Sequence, residues 1–151
     1  MKIWIQASRP KTLISSFAPA LTGILLAYRE VGSLHTVAAF ATLACALSLQ
    51  ILTNLANDYF DHKKGADNEE RIGPQRVTSA GLVTHSQIKQ AILLNVFICL
   101  LLGVYLVVEG GLPILIIGIL SVAFAILYTA GPFPLSYLGL GDVFAFTFFG
   151  P

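Results

Sequence analysis

The sequence predicts an all-α, polytopic transmembrane helical bundle, and composition, segment length and the placement of cations together predict it. Of 151 residues, 56% are hydrophobic and only 11% are charged, whereas soluble domains carry about a quarter of their residues as charges. A water-facing surface cannot be built from this composition, and disorder is excluded because it needs low hydrophobicity and abundant charge. The mean hydropathy of +0.78 makes the bilayer the solvent. A net charge of +1 supplies no basic field of the kind that binds nucleic acid.

A bilayer core of about 30 Å takes roughly 20 helical residues, and four segments of that size run approximately Leu13 to Tyr28, Leu34 to Ala56, Ile88 to Val108 and Leu112 to Thr129. A fifth begins near Leu138 and stops at Pro151 with too few residues to cross. Because a half-crossing leaves backbone groups that lipid cannot satisfy, the chain is expected to be the truncated first part of a longer polypeptide. The opening is expected to be retained as a true span and not cleaved as a signal peptide, because Arg9 and Lys11 interrupt it and no small-residue cleavage site follows Leu26. Cys45 and Cys99 lie within apolar runs and read as packing residues. Thr84 and Gln87 have capping-box spacing, so the third span is expected to begin just after Thr84.

Lys2, Arg9 and Lys11 precede the first span, and Lys63, Lys64, Arg71, Arg76 and Lys89 lie in or beside the second connection, on the same side. Arg29 alone lies opposite. This asymmetry predicts a cytoplasmic N-terminus and a cytoplasmic second connection, in the inner membrane of the cell. That connection, Asn57 to about Gln87, is far longer than the others, and long loops in compact proteins are usually functional.

The second span leaves the membrane through Gln50, Asn54, Asn57 and Asp61, spaced as one helical face. Asp58 lies about 100° off that stripe, and Gly65 is the expected helix stop. Gln50 and Asn54 suit interhelical hydrogen bonds, whereas Asn57, Asp61 and Asp67 at the membrane edge suit a functional cavity. Mg²⁺ takes one or two carboxylates and completes its shell with water and substrate phosphates. Asn57, Asp61 and Asp67 are therefore candidate catalytic and metal-holding residues for a phosphorylated ligand, with Arg71 and Arg76 as forked phosphate donors. Lys63 and Lys64 also satisfy the positive-inside rule without any such task.

NDYFDHKKGAD, Asn57 to Asp67, resembles the first aspartate-rich motif of the UbiA superfamily of intramembrane prenyltransferases, and ERIGPQRVTSAGLVT is similar to that family's basic stretch after the motif. SRPKTL, from Ser8 to Leu13, and YTAGPFPLSYLGLGD, from Tyr128 to Asp142, resemble the branch that prenylates 1,4-dihydroxy-2-naphthoate on the way to menaquinone. The resemblance implies the N-terminal half of a bundle of about nine spans, in which two aspartate-rich motifs bind a polyprenyl diphosphate through Mg²⁺. It puts Asn57 and Asp61 on the first motif. Asp67 fits only if five residues intervene; three are commoner, and that position is Gly65. It adds Arg9, Lys11 and Asn54 to Arg71, Arg76 and Tyr128 as substrate-binding candidates. No second motif is found between Leu82 and Pro151, where Asp142 stands alone in a GLGD turn, so the chain by itself is expected to be inactive.

The implied chemistry is ionisation of an allylic diphosphate, with Mg²⁺ and cationic side chains at its oxygens, and capture of the carbocation by an electron-rich ring. Water must be excluded. Tyr128 suits either a cation-stabilising π-face or an interfacial belt. His35 reads as interfacial, and His62 and His85 have no metal-ligand spacing. Two other readings stand beside this one: a transporter or channel lined by the polar stripe, and a prenyltransferase for another aromatic acceptor such as 4-hydroxybenzoate. Clustering of acids and arginines in a loop, rather than at the midplane, argues against the transporter.

Overall fold

A computed structural model describes residues 2–63, 76–127 and 143, and the described residues contain helices and turns but no strand. Four helices follow in order: α1 Lys2–Ser8, α2 Pro10–Val31, α3 Thr36–Lys63 and α4 His85–Leu127. Among the described residues three helices, α2, α3 and α4, are long and apolar enough to cross a membrane. Their large apolar side chains point outward rather than into a core: Leu93, Leu94 and Leu101 are each about three-fifths exposed. Such a surface is stable only against hydrocarbon.

Each helix boundary has a local cause. Arg9 adopts a left-handed conformation at φ 50° and Pro10 opens α2, so the chain turns between α1 and α2 at a residue whose successor carries no N–H to satisfy. Gly32 ends α2 at φ 73°, its N–H donating to the Tyr28 carbonyl at 2.8 Å. The His35 ring caps the start of α3, its Nδ1 accepting from the Ala38 N–H at 3.2 Å. At α4 the predicted capping box is formed: Gln87 Oε1 accepts from the Thr84 N–H at 2.9 Å, and Thr84 Oγ1 accepts from the Gln87 N–H at 3.3 Å.

Two boundaries differ from the sequence expectation. Helix α1 precedes the first apolar run, and α3 continues through Lys63, so the first residues assigned to the long connection are helical and the connection narrows to residues 64–84. The 28 residues of α3 span about 42 Å at 1.5 Å each, roughly 12 Å more than a hydrocarbon core. That surplus lifts the NDYFDHK end of α3 to the membrane surface. Gly65 lies outside the described residues.

Helix α4 is two limbs joined at Gly111, whose φ 69° and ψ −157° are not helical. Were α4 straight, Cys99 and Val122 would lie about 35 Å apart. Both instead line one cavity of about 1000 Å³, together with Cys45 and Leu49 of α3. The chain therefore folds back at Gly111, in the short gap between the segments expected at Ile88 to Val108 and Leu112 to Thr129. Only glycine adopts that φ/ψ combination readily, at a cost of about 1–3 kcal/mol for other residues. A Cβ on Gly110 would come within 2.3 Å of the Ile114 side chain. Gly111→Ala is expected to lower the melting temperature of the purified protein by several degrees, read by a thermal-shift assay in detergent; an unchanged midpoint would mean that the reversal tolerates a side chain.

A buried apolar cluster formed by Ala7, Leu55, Val77, Val83 and Ile88 joins α1, the last third of α3, the segment after Arg76 and the start of α4. Fully burying a Val or Ile contributes about 1.5–3 kcal/mol, and Val77 and Ile88 are both 0% exposed. The packed core thus sits at the polar end of α3, where it holds the connecting segment against the helix.

Candidate functional site

The polar stripe is spent in two parts. Toward the membrane, Gln50 Oε1 accepts from the Ser16 hydroxyl of α2 at 2.8 Å, an interhelical bond of the kind its position suits. One turn further, the Asn54 Nδ2 group donates to the Ser8 carbonyl at 2.8 Å and to Thr12 Oγ1 at 2.9 Å, while that hydroxyl donates to the Arg9 carbonyl at 2.9 Å. The Ser8 carbonyl ends α1 and lacks a helical partner because the chain turns there. Asn54 supplies one, and so ties the segment bearing Arg9 and Lys11 to α3. Arg9 is half-buried at the turn and Lys11 is exposed.

Toward the surface, Asn57 and Asp61 lie one helical turn apart and meet Arg76. The Arg76 guanidinium forms an ion pair with the Asp61 carboxylate and donates to the Asn57 backbone carbonyl. Asp61 is 6% and Arg76 8% exposed, so their pairing is shielded from water and stronger than a surface pair. Three of the predicted site residues therefore come together at the surface end of α3, Asn57 through its backbone carbonyl. Asp67, Arg71 and Tyr128 lie outside the described residues.

Arg76 is aimed by its neighbours. Residues 77–82 form one tight turn in which the Gly81 N–H donates to the Thr78 carbonyl at 3.0 Å and the Leu82 N–H to the Val77 carbonyl at 2.9 Å. This is the Schellman pattern, with Gly81 in the left-handed conformation at φ 68°. The two N–H groups at the start of the turn, those of Val77 and Thr78, are taken by Asp58, whose Oδ2 and Oδ1 accept them at 3.0 and 3.1 Å. Asp58 is 1% exposed.

Sequence spacing placed Asp58 off the stripe and gave it no task, because its partners are backbone amides that no residue type advertises. The two histidines likewise meet only in three dimensions. The His62 and His85 rings lie 4.8 Å apart, Tyr59 stands edge-on to His85 at 5.8 Å, and His62 Nδ1 lies 3.2 Å from the Ser79 hydroxyl. Among the described residues no group of three or more His, Cys, Asp or Glu side chains is arranged to hold a metal by itself.

The buried Asp61 carboxylate, the Asn57 backbone carbonyl one turn away and the forked Arg76 cation stand together, so oxygen acceptors lie beside a cation with several N–H donors. Oxygen donors suit hard Mg²⁺, and one protein carboxylate leaves room in its shell for phosphate and water. The residues present fit that ion as partial ligands.

Several known proteins resemble the chain over most of its length. The chain is 40% identical to the 1,4-dihydroxy-2-naphthoate octaprenyltransferase of Escherichia coli over 97% of its own length and 49% of that protein's. It is 36% identical to the protein of that name in Bacillus subtilis, over 95% and 45% of the two lengths. It is also 34% identical to the UbiA prenyltransferase domain-containing protein 1 of Dictyostelium discoideum, over 97% and 46%. The chain spans about half the length of the curated relatives it matches. No solved structure matches it. Residues 16–151 match the UbiA prenyltransferase family, and the chain, a multi-pass membrane protein, belongs to that family.

Proposed function

We propose that this chain is the N-terminal part of an Mg²⁺-dependent enzyme that transfers a polyprenyl group from its diphosphate to 1,4-dihydroxy-2-naphthoate in menaquinone synthesis. The convergence of Asn57, Asp61 and Arg76 carries the reading, and the names of the relatives support the acceptor. In this reading the chain contributes one wall of a single membrane domain, with four full spans and the start of a fifth. Its N-terminus and the 64–84 connection lie on the cytoplasmic side of the inner membrane.

Asn57 and Asp61, with Asp67, hold the metal, and Mg²⁺ when bound offsets the negative charge of the diphosphate leaving group. Arg76 offers its forked N–H donors to the phosphate oxygens, and Arg71 joins it. The pair it makes with Asp61 keeps both charges balanced until a diphosphate competes for the guanidinium. Arg9, Lys11 and Tyr128 line the substrate side, with Asn54 tying the first two to α3. The apolar bundle excludes water, so an allylic cation formed by loss of diphosphate is captured by the electron-rich ring instead of being quenched.

Two measurements test this reading. In a chain of the relatives' full length, competition between 1,4-dihydroxy-2-naphthoate and 4-hydroxybenzoate for one polyprenyl diphosphate is expected to favour the naphthoate by at least about tenfold, the effect of roughly 1.4 kcal/mol. Preference for the benzoate would move the enzyme to another branch. For orientation, a cysteine at exposed Ser79 is expected to react with an impermeant maleimide only after the cells are opened. Labelling in intact cells would invert the topology.

A further inference from the structure

We propose that Asp58 is the positioning residue that aims Arg76 at the diphosphate, an inference that rests on the reading of the Asn57, Asp61 and Arg76 cluster as a diphosphate site. Asp58 faces neither water nor the ion pair; its two oxygens are occupied by the Val77 and Thr78 N–H groups at 3.0 and 3.1 Å. Those are the two residues that follow Arg76. Fixing two successive peptide groups leaves the Arg76 backbone little freedom, and its side chain then reaches back to Asp61 and the Asn57 carbonyl. The far end of the same turn is set by Gly81, and its apolar face by Val77, which is 0% exposed against Ala7, Leu55 and Ile88.

The clasp needs a carboxylate. Both acceptors must be oxygens because both partners are N–H donors. An asparagine keeps one acceptor and turns an NH₂ group toward the second N–H, which repels it. Negative charge also suits the start of a turn whose first amides point outward. The adjacent acids Asp58 and Asp61 thus divide the work: Asp61 meets the cation directly, and Asp58 acts through the backbone.

The test uses protein of the relatives' full length. Thr78 is 4% exposed and its hydroxyl has no hydrogen-bond partner among the described residues, so Thr78→Cys makes a thiol that reacts only when the turn opens. Asp58→Asn is expected to raise the rate of maleimide labelling at that cysteine at least tenfold, and to raise KM for the polyprenyl diphosphate at least tenfold with KM for the naphthoate unchanged. In an Arg76→Ala background, Asp58→Asn is expected to change the diphosphate KM less than twofold, because its effect passes through Arg76. Gly81→Val strains the same turn at φ 68° without touching Asp58, and is expected to move labelling and KM in the same direction should Asp58→Asn not fold. Unchanged labelling, or a KM effect that persists in full without Arg76, overturns the proposal. If labelling rises while Asp58→Asn and Arg76→Ala both leave the diphosphate KM alone, the failure belongs to the diphosphate reading of the site.

Discussion

Asp61→Asn in a chain of the relatives' full length is expected to lower prenyl transfer by about 10²- to 10³-fold, the usual cost of losing one preorganised charge at a reacting centre. The effect should fall mainly on kcat, since the carboxylate serves the ionisation, where charge on the leaving group is greatest. Asparagine is the informative replacement. Asp61 and Arg76 form an ion pair with both side chains under a tenth exposed, and removing one partner of such a pair costs about 3–5 kcal/mol. Alanine would therefore mix lost chemistry with lost stability. Asparagine keeps the volume and one acceptor for the guanidinium. Activity and thermal midpoint should be measured together, at saturating Mg²⁺. An Asp61→Asn enzyme within threefold of wild type would remove Asp61 from the reacting site.

Residues 1–151 alone are expected to give no measurable prenylated product, at least about 10³ below a full-length relative. The described residues bring the Asp61 carboxylate, the Asn57 backbone carbonyl and the Arg76 guanidinium together at the end of α3. In the family this wall faces a second aspartate-rich motif, and the sequence from Leu82 to Pro151 contains none. With only one wall, part of the diphosphate charge is left without a counterion. The assay is direct: chain in lipid, Mg²⁺, octaprenyl diphosphate and naphthoate, with extraction and detection of the prenylated ring. Turnover within tenfold of the Escherichia coli relative would mean that one motif suffices.

Much of this architecture was legible before any coordinates. Hydrocarbon imposes a minimum length and near-absence of charge on each span, so the apolar stretches inside α2, α3 and α4 follow from hydropathy, whereas α1 and the extension of α3 through Lys63 do not. Thr84 and Gln87 specify their capping box because both partners are side chains at fixed spacing on one turn. The same geometry made the stripe of Gln50, Asn54, Asn57 and Asp61 readable, since helical period is a local property. Asp67, Arg71 and Tyr128 remain expectations carried by motif alone.

What the sequence by itself determined is therefore the helical membrane class, the family and the face of α3 that carries polar chemistry, all of them consequences of local spacing and of the solvent each segment must meet. Tertiary structure alone decided how those polar groups are used. It gave Asn54 to the Ser8 carbonyl, Asp58 to the amides of Val77 and Thr78, and Asp61 to Arg76. For Asn54 and Asp58 the physical reason is the same. Every residue but proline offers a backbone N–H, and every residue a carbonyl, so a side chain that bonds to backbone leaves no trace in its partner's identity. A pairing between distant segments likewise depends on how the packed core of Val77, Val83 and Ile88 against α3 returns the chain to the helix it left.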